Sequence, residues 1–341
     1  MAPTSMRAWQ YHDTARGLEN CMKLNTVPLP QPKPHEHLVQ VLYAALNPVD
    51  YKPAEVGFVS RFMIPKPATP GIDFAGRMVR PAAGSSLKPG QLVFGSASTS
   101  PFAAGALREY ATTETAGVVA APEGVDPKHL ATIAVGAETA YQSIVPYVKA
   151  GDSIFINGGS GGVGVFSIQI AKAVGCRVTT TCSTPNVELC KSLGADSVID
   201  YRKQDVLETL RKGGQQYTHV VDNVGADWNL FWKAHEYSKP GAAYIYIGAT
   251  PTLSYAWNQV KAKVWPAFLG GSKRKFLTFF AQPKNDELAK FGAWMKDGTV
   301  KPVVDSLWTM EKVPDAFRKL KTGRARGKIV VQVAADLKSM G

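Results

Sequence analysis

The chain has 341 residues, 45% hydrophobic and 19% charged, with a formal net charge of +12. At roughly 150 residues per domain this predicts two globular domains and excludes a disordered or fibrous chain. The basic residues are spread along the sequence without a nucleic-acid-binding signature, so nucleic acid is not expected as a main partner; a surface that attracts anionic cofactor phosphates is.

The first residues, to Gly17, contain Arg7, His12, Asp13 and Arg16 and no apolar run, so a cytoplasmic location is the expectation. From Met6 to about Thr115, short apolar runs (Leu38 to Leu46, Gly71 to Val79, Gln91 to Gly95) alternate with turn residues. Prolines at 28, 30, 32, 34, 48, 53, 65, 67 and 70 forbid long helices there, and the region reads as mostly β. Four cysteines, Cys21, Cys176, Cys182 and Cys190, lack the close grouping of a disulfide framework or structural zinc site.

After Pro122 the texture changes. Leu130 to Val148 has helical spacing, and from Ser153 strands and helices alternate. Ser153 to Asn157, Arg177 to Cys182, Ser197 to Ile199, Thr218 to Asp222 and Ala242 to Gly248 are predicted strands. The helices between them include one with Val163, Phe166, Ile170 and Val174 on a single face, one opened by Thr184-Pro185, Val206 to Lys212, and Trp228 to Glu236. Such alternation predicts a doubly wound parallel sheet. Thr299 to Val333 returns to prolines and short strands and is expected to rejoin the β-rich part.

Gly159-Ser160-Gly161-Gly162-Val163-Gly164 fits G-x-G-x-x-G. It follows a predicted strand and opens a helix, so its backbone can approach a pyrophosphate at the helix N-terminus. In an NAD site an acid about 20 residues further on bonds the ribose 2′-hydroxyl. Here the next strand ends Thr181-Cys182-Ser183-Thr184, with Asn186 behind it, and Tyr201-Arg202-Lys203 follows the third strand. Hydroxyls, an amide and cations can bind a 2′-phosphate that a carboxylate would repel, so NADPH is the expected cofactor.

At these residues the chain resembles the medium-chain dehydrogenase/reductase superfamily, in its zinc-free quinone-oxidoreductase-like branch. The likeness rests on Asn157 to Gly164, Leu193-Gly194-Ala195-Asp196, Val221-Asp222-Asn223-Val224-Gly225 and Gly323 to Val330, in that order. Reticulon-interacting mitochondrial reductases and trans-acting enoyl reductases are among the similar groups, the latter through Cys182 to Asn186. The resemblance implies an α/β protein: a GroES-like β-rich catalytic domain at 1–125, completed by 285–341, and a Rossmann domain at 126–284. It also implies nicotinamide near Asn47, Asp50 and Thr139, and Asn223 and Lys328 as further cofactor contacts. Asp50, Tyr51 and Lys52 become the candidate catalytic groups. Zinc alcohol dehydrogenases of this fold use a Cys and a Gly-His-Glu, where this chain has Asn47-Pro48-Val49-Asp50 and Gly71-Ile72-Asp73-Phe74. No metal is therefore expected, and simple alcohol oxidation is a poor candidate.

The expected function is metal-free reduction, with NADPH, of small apolar α,β-unsaturated carbonyls or of quinones. A biosynthetic trans-acting enoyl or carbonyl reductase is the alternative, and a non-catalytic NADPH-binding protein the alternative of another class. Either a monomer or a homodimer suits the sequence. From Trp257 to Phe280, lysines and Arg274 are interleaved with Val264, Trp265, Phe268, Leu269, Phe276 and Phe279. This stretch is expected to line the substrate cleft or a dimer contact, with a membrane surface as the alternative.

Overall fold

The computed structural model describes residues 3–57, 60–98, 105–248, 252–266, 269 and 271–334. It divides into two compact units, one of Met1–Glu138 with Gln282–Gly341 and the other of Thr139–Ala281.

In chain order the strands are β1 (Ser5–Gln10), β2 (Lys23–Pro28), β3 (Glu36–Leu46), β4 (Asp73–Arg80), β5 (Leu92–Ser96), β6 (Tyr110–Glu114) and β7 (Val118–Ala120). Next come β8 (Ser153–Asn157), β9 (Arg177–Cys182), β10 (Ser197–Asp200), β11 (Tyr217–Asp222), β12 (Ser238–Tyr246) and β13 (Lys275–Leu277). Finally β14 (Val304–Thr309) and β15 (Lys328–Gln332) close the chain.

The first unit holds a seven-stranded sheet in the order β14-β15-β3-β4-β5-β7, with β6 also paired to β3, and a separate β1–β2 hairpin. β15 pairs antiparallel with β3, so the returning C-terminal segment is built into the first unit's sheet. β3 is buried on both faces, and Val39, Val41, Phe74, Val93, Ile329 and Val331 share one core. The unit runs past the expected boundary at 125. The helix Pro127–Leu130 packs on β3, β4 and β5, and the Val135 amide donates to Asp73 Oδ1 at 2.8 Å.

The second unit is a six-stranded sheet, parallel throughout, in the order β10-β9-β8-β11-β12-β13. Strand order reverses between β8 and β11, the topological switch where doubly wound sheets bind ligands beyond the carboxyl ends of their strands. The helix Gly164–Val174 is buried over most of its surface and stops at Gly175, whose φ of 94° suits only glycine. Two sequence expectations shift: Trp228–Trp232 is α-helix followed by a 3₁₀ turn at Ala234–Glu236, and the strand predicted from Ala242 begins at Ser238 and ends at Tyr246.

The stretch 257–280 divides in two. The helix Leu253–Val264 leaves Trp257 and Val264 well exposed, whereas Phe276 lies on the sheet-edge strand β13 and packs 4.7 Å from Phe231 and 5.6 Å from Trp228. Phe276 is therefore half-buried against the core of the second unit, because pairing with β12 fixes its face. Phe268 and Gly270 lie outside the described residues. Among the described residues no helix is long and apolar enough to cross a membrane.

Candidate active site

The glycine loop occupies the turn between β8 and the helix Gly164–Val174, and its residues differ in what they permit. A Cβ on Gly159 would stand 2.2 Å from Thr180 Oγ1, and one on Gly164 2.1 Å from the Gly158 carbonyl oxygen, so Gly159 is required by the buried Thr180 side chain and Gly164 by the backbone of its own turn. A Cβ on Gly161 would meet only the Gly158 oxygen, at 3.6 Å. The fold leaves Gly161 uncrowded, with room for a ligand to approach the backbone there. Ser160, Gly162 and Val163 complete the loop, all partly exposed.

Beside the loop, Asn186 Nδ2 donates to Ser160 Oγ at 3.1 Å and to Ser183 Oγ at 3.3 Å. Three residues expected on sequence grounds thus form one polar corner at the end of β9. Tyr201 is drawn to the same strand end by its amide, which donates to the Cys182 carbonyl at 3.1 Å, and its side chain is 54% exposed. Arg202 is also exposed, with its amide donating to Asp200 Oδ1 at 3.0 Å. Asp200 was not singled out from sequence. Its other oxygen accepts the Thr184 hydroxyl at 2.6 Å, so the carboxylate serves the turn that carries Tyr201 and Arg202.

Unpartnered polar atoms mark where a bound molecule would be welcome. Asn186 Oδ1 and both amide atoms of Asn223 are buried without a hydrogen-bond partner. Such atoms are costly unless a ligand or water satisfies them. Together with the open Gly161 they fit a dinucleotide along the carboxyl end of this sheet. Thr139, at the start of the second unit, is buried.

In the first unit a separate buried cluster surrounds the 3₁₀ turn Pro48–Asp50. Lys328 is 2% exposed; its ammonium donates to Asp73 Oδ2 at 2.9 Å and to Asn47 Oδ1. Asn47 Nδ2 donates to the same Asp73 oxygen at 3.0 Å, and the Asn47 amide to Asp50 Oδ2 at 2.7 Å. The residues standing at the superfamily's zinc-ligand positions, Asn47 and Asp73, are thus bound to a lysine ammonium. Among the described residues no group of three His, Cys, Asp or Glu converges that could hold a metal, and zinc does not fit this donor set.

Burial pushes the Asp50 carboxyl up to about 8, helped by the negative charge of Asp73 and opposed by the Asn47 amide and Lys328. Its Oδ1 has no partner. Tyr51 follows, half-buried against the core, with the Lys321 ammonium 5.1 Å above its ring; burial raises its pKa. Burial lowers that of Lys52. Sequence reasoning placed Asp73 only as a missing zinc ligand and passed over Tyr11, a buried phenol pushed up to about 12 by burial and by the charge of Asp50. A charged residue opening an apolar strand, as Asp73 opens β4, was the available signal for the first.

Comparison with known proteins bears on the family. Residues 33–123 match the family model of the alcohol dehydrogenase GroES-like domain, and residues 193–331 that of zinc-binding dehydrogenases. A trans-enoyl reductase of Aspergillus terreus is 45% identical over 97% of both chains. The 2-methylene-furan-3-one reductase of Solanum lycopersicum is 33% identical over 96% of this chain and 79% of its own. Among solved structures, the quinone oxidoreductase from Coxiella burnetii superposes with a TM-score of 0.83 at 26% identity, covering 97% of this chain and all of the other. With a GroES-like β domain, a Rossmann sheet built for a nicotinamide cofactor and these relatives, the chain belongs to the medium-chain dehydrogenase/reductase superfamily, as an oxidoreductase of the quinone-oxidoreductase and trans-enoyl-reductase branch.

Proposed function

We propose that the chain is an NADPH-dependent reductase of conjugated carbon–carbon double bonds, acting on α,β-unsaturated carbonyl or enoyl compounds. The observation that carries the reading is the near full-length identity of 45% to a protein named for trans-enoyl reduction. The polar corner of Ser160, Ser183 and Asn186, with Tyr201 and Arg202 beside it, supports NADPH over NADH, because β9 ends in hydroxyls rather than a carboxylate. That identity favours the trans-acting enoyl reductase, which the sequence alone held as the alternative, over a quinone reductase.

The residues would share the work as follows. Gly159 to Gly164 would hold the pyrophosphate, Ser183, Asn186, Tyr201 and Arg202 the 2′-phosphate, and Thr139 and Asn223 the nicotinamide end; Asn47 and Lys328, expected there from the resemblance, are engaged with each other and with Asp73 in the first unit. Bound there, NADPH supplies a hydride from its nicotinamide C4. Tyr51, protonated at neutral pH as any phenol is, would deliver its proton to the α-carbon, although burial raises its pKa and makes it a weaker acid. Lys52 polarises the carbonyl oxygen, and Asp50, protonated by its burial, holds the turn that carries both.

Labelling tests the reading. With C4-deuterated NADPH in ordinary water, the product of an enone or an enoyl thioester should carry deuterium only at the β-carbon. In heavy water with ordinary NADPH, the new α-hydrogen should be deuterium. Deuterium on a carbinol carbon would instead make the protein a carbonyl reductase. Tyr51→Phe should slow turnover roughly a hundredfold; an unchanged rate assigns the proton to water.

A further inference from the structure

At the carboxyl edge of the Rossmann sheet one carboxylate gathers four donors. Asp222, the last residue of β11, is 0% exposed. Its Oδ1 accepts Asn157 Nδ2 at 2.8 Å and the amides of Val224 and Gly225 at 3.0 and 2.9 Å, while Oδ2 accepts the Tyr244 hydroxyl at 2.7 Å. From Asn157 the chain of bonds continues. Thr181 Oγ1 donates to Asn157 Oδ1 at 2.6 Å and accepts the amide of Gly158, which opens the glycine loop, at 2.8 Å.

These side chains sit on β12, β11, β8 and β9, four adjacent strands of the sheet. Each end of the relay fixes a segment by its backbone. At one end is Gly158, with φ of 84°. At the other is the turn Asn223–Gly225, where a Cβ on Gly225 would stand 2.2 Å from the Gly248 oxygen. Asn223, whose amide atoms are buried and unpartnered, sits between Asp222 and the two amides that Asp222 binds.

We infer that Asp222 is a positioning residue which, through Asn157 and Thr181, sets the glycine loop and the Asn223 turn as one unit, so that dinucleotide affinity depends on the intact relay. The hydrogen bonds of the relay and those of the corner at Ser160, Ser183 and Asn186 share no side chain. Loss of the relay therefore weakens NADH and NADPH alike and leaves their ratio as it was. The inference rests on a dinucleotide binding at this sheet edge, not on the preference for NADPH.

Fluorescence titration of the full-length chain with NADPH and with NADH tests it. Thr181→Val, close to isosteric, should weaken both about tenfold, and Thr181→Ser, which keeps the hydroxyl, should restore both to within about twofold. Asp222→Asn should weaken both, and the Thr181→Val/Asp222→Asn double variant should be less impaired than the sum of the single effects, since the two changes break one relay. Should Asp222→Asn fail to fold by circular dichroism, Tyr244→Phe takes its place in the cycle. Additive effects, or a Thr181→Ser variant as weak as Thr181→Val, would overturn the relay. Equal affinity of the unmodified protein for the two cofactors, with Thr181→Val still weakening both, would instead reject the NADPH assignment and leave the relay standing.

Discussion

Asp50 shows how a short polar motif acquires an unusual charge state. The Asn47-Pro48-Val49-Asp50 turn is local, and its bond from the Asn47 amide to Asp50 Oδ2 follows from an asparagine preceding a proline-led turn. The charge state is not local. It comes from burial and from the negative charge of Asp73, against the pull of Lys328, and both of those residues lie far along the chain. A folded-state pKa near 8, above that of an unfolded aspartate, means that Asp50 opposes folding as it ionises. Its full contribution to stability is present below the ordinary carboxylate range and is lost as pH rises through 8. Asp50→Asn keeps an acceptor for the Asn47 amide without the charge. Its stability relative to the unmodified protein should therefore grow from pH 5 to pH 9, by on the order of 4 kcal/mol, with most of the rise complete near pH 8. Denaturant unfolding at each pH measures this, and a difference independent of pH would show Asp50 ionised throughout.

At the scale of elements, the glycine loop was the most legible feature because its strand, turn and helix are contiguous and each glycine has a local reason. The structure separates those reasons. Gly159→Ala drives a Cβ into Thr180 and should cost about 1–3 kcal/mol of stability along with cofactor binding. Gly161→Ala meets nothing closer than 3.6 Å, so it should keep the unmodified melting temperature yet bind NADPH at least about tenfold more weakly. Melting curves with and without cofactor distinguish the two. A Gly161→Ala protein with unchanged affinity would remove this residue from the phosphate site. The relay through Asp222 was not legible, because Asn157, Thr181 and Tyr244 reach it from strands that only the sheet order makes neighbours. The packing of Phe276 was not legible for the same reason, since its face is set by pairing with β12 rather than by the lysines around it in sequence.

For the whole molecule, the change from proline-broken β texture to strand–helix alternation located the second unit, while packing of Pro127–Leu130 on the first unit's sheet moved the boundary to Glu138. The net charge of +12 is a property of neither unit's fold but of the field around them. NADPH differs from NADH by one phosphate carrying nearly two negative charges at neutral pH, so on the proposed reading it should gain both from this field and from the exposed Arg202. In low salt NADPH should bind at least about tenfold tighter than NADH, a difference of about 1.4 kcal/mol. Screening lengths fall to about 10 Å at 0.1 M salt and to about 3 Å at 1 M, so the ratio should shrink as salt rises, with NADPH losing more affinity than NADH. Arg202→Ala separates the local from the distributed contribution. It should remove most of the preference at every salt concentration and leave NADH binding unchanged, whereas a preference made by the overall field would survive the substitution and vanish only with salt. Equal affinities in low salt would reject the assignment of Ser183, Tyr201 and Arg202 to the 2′-phosphate.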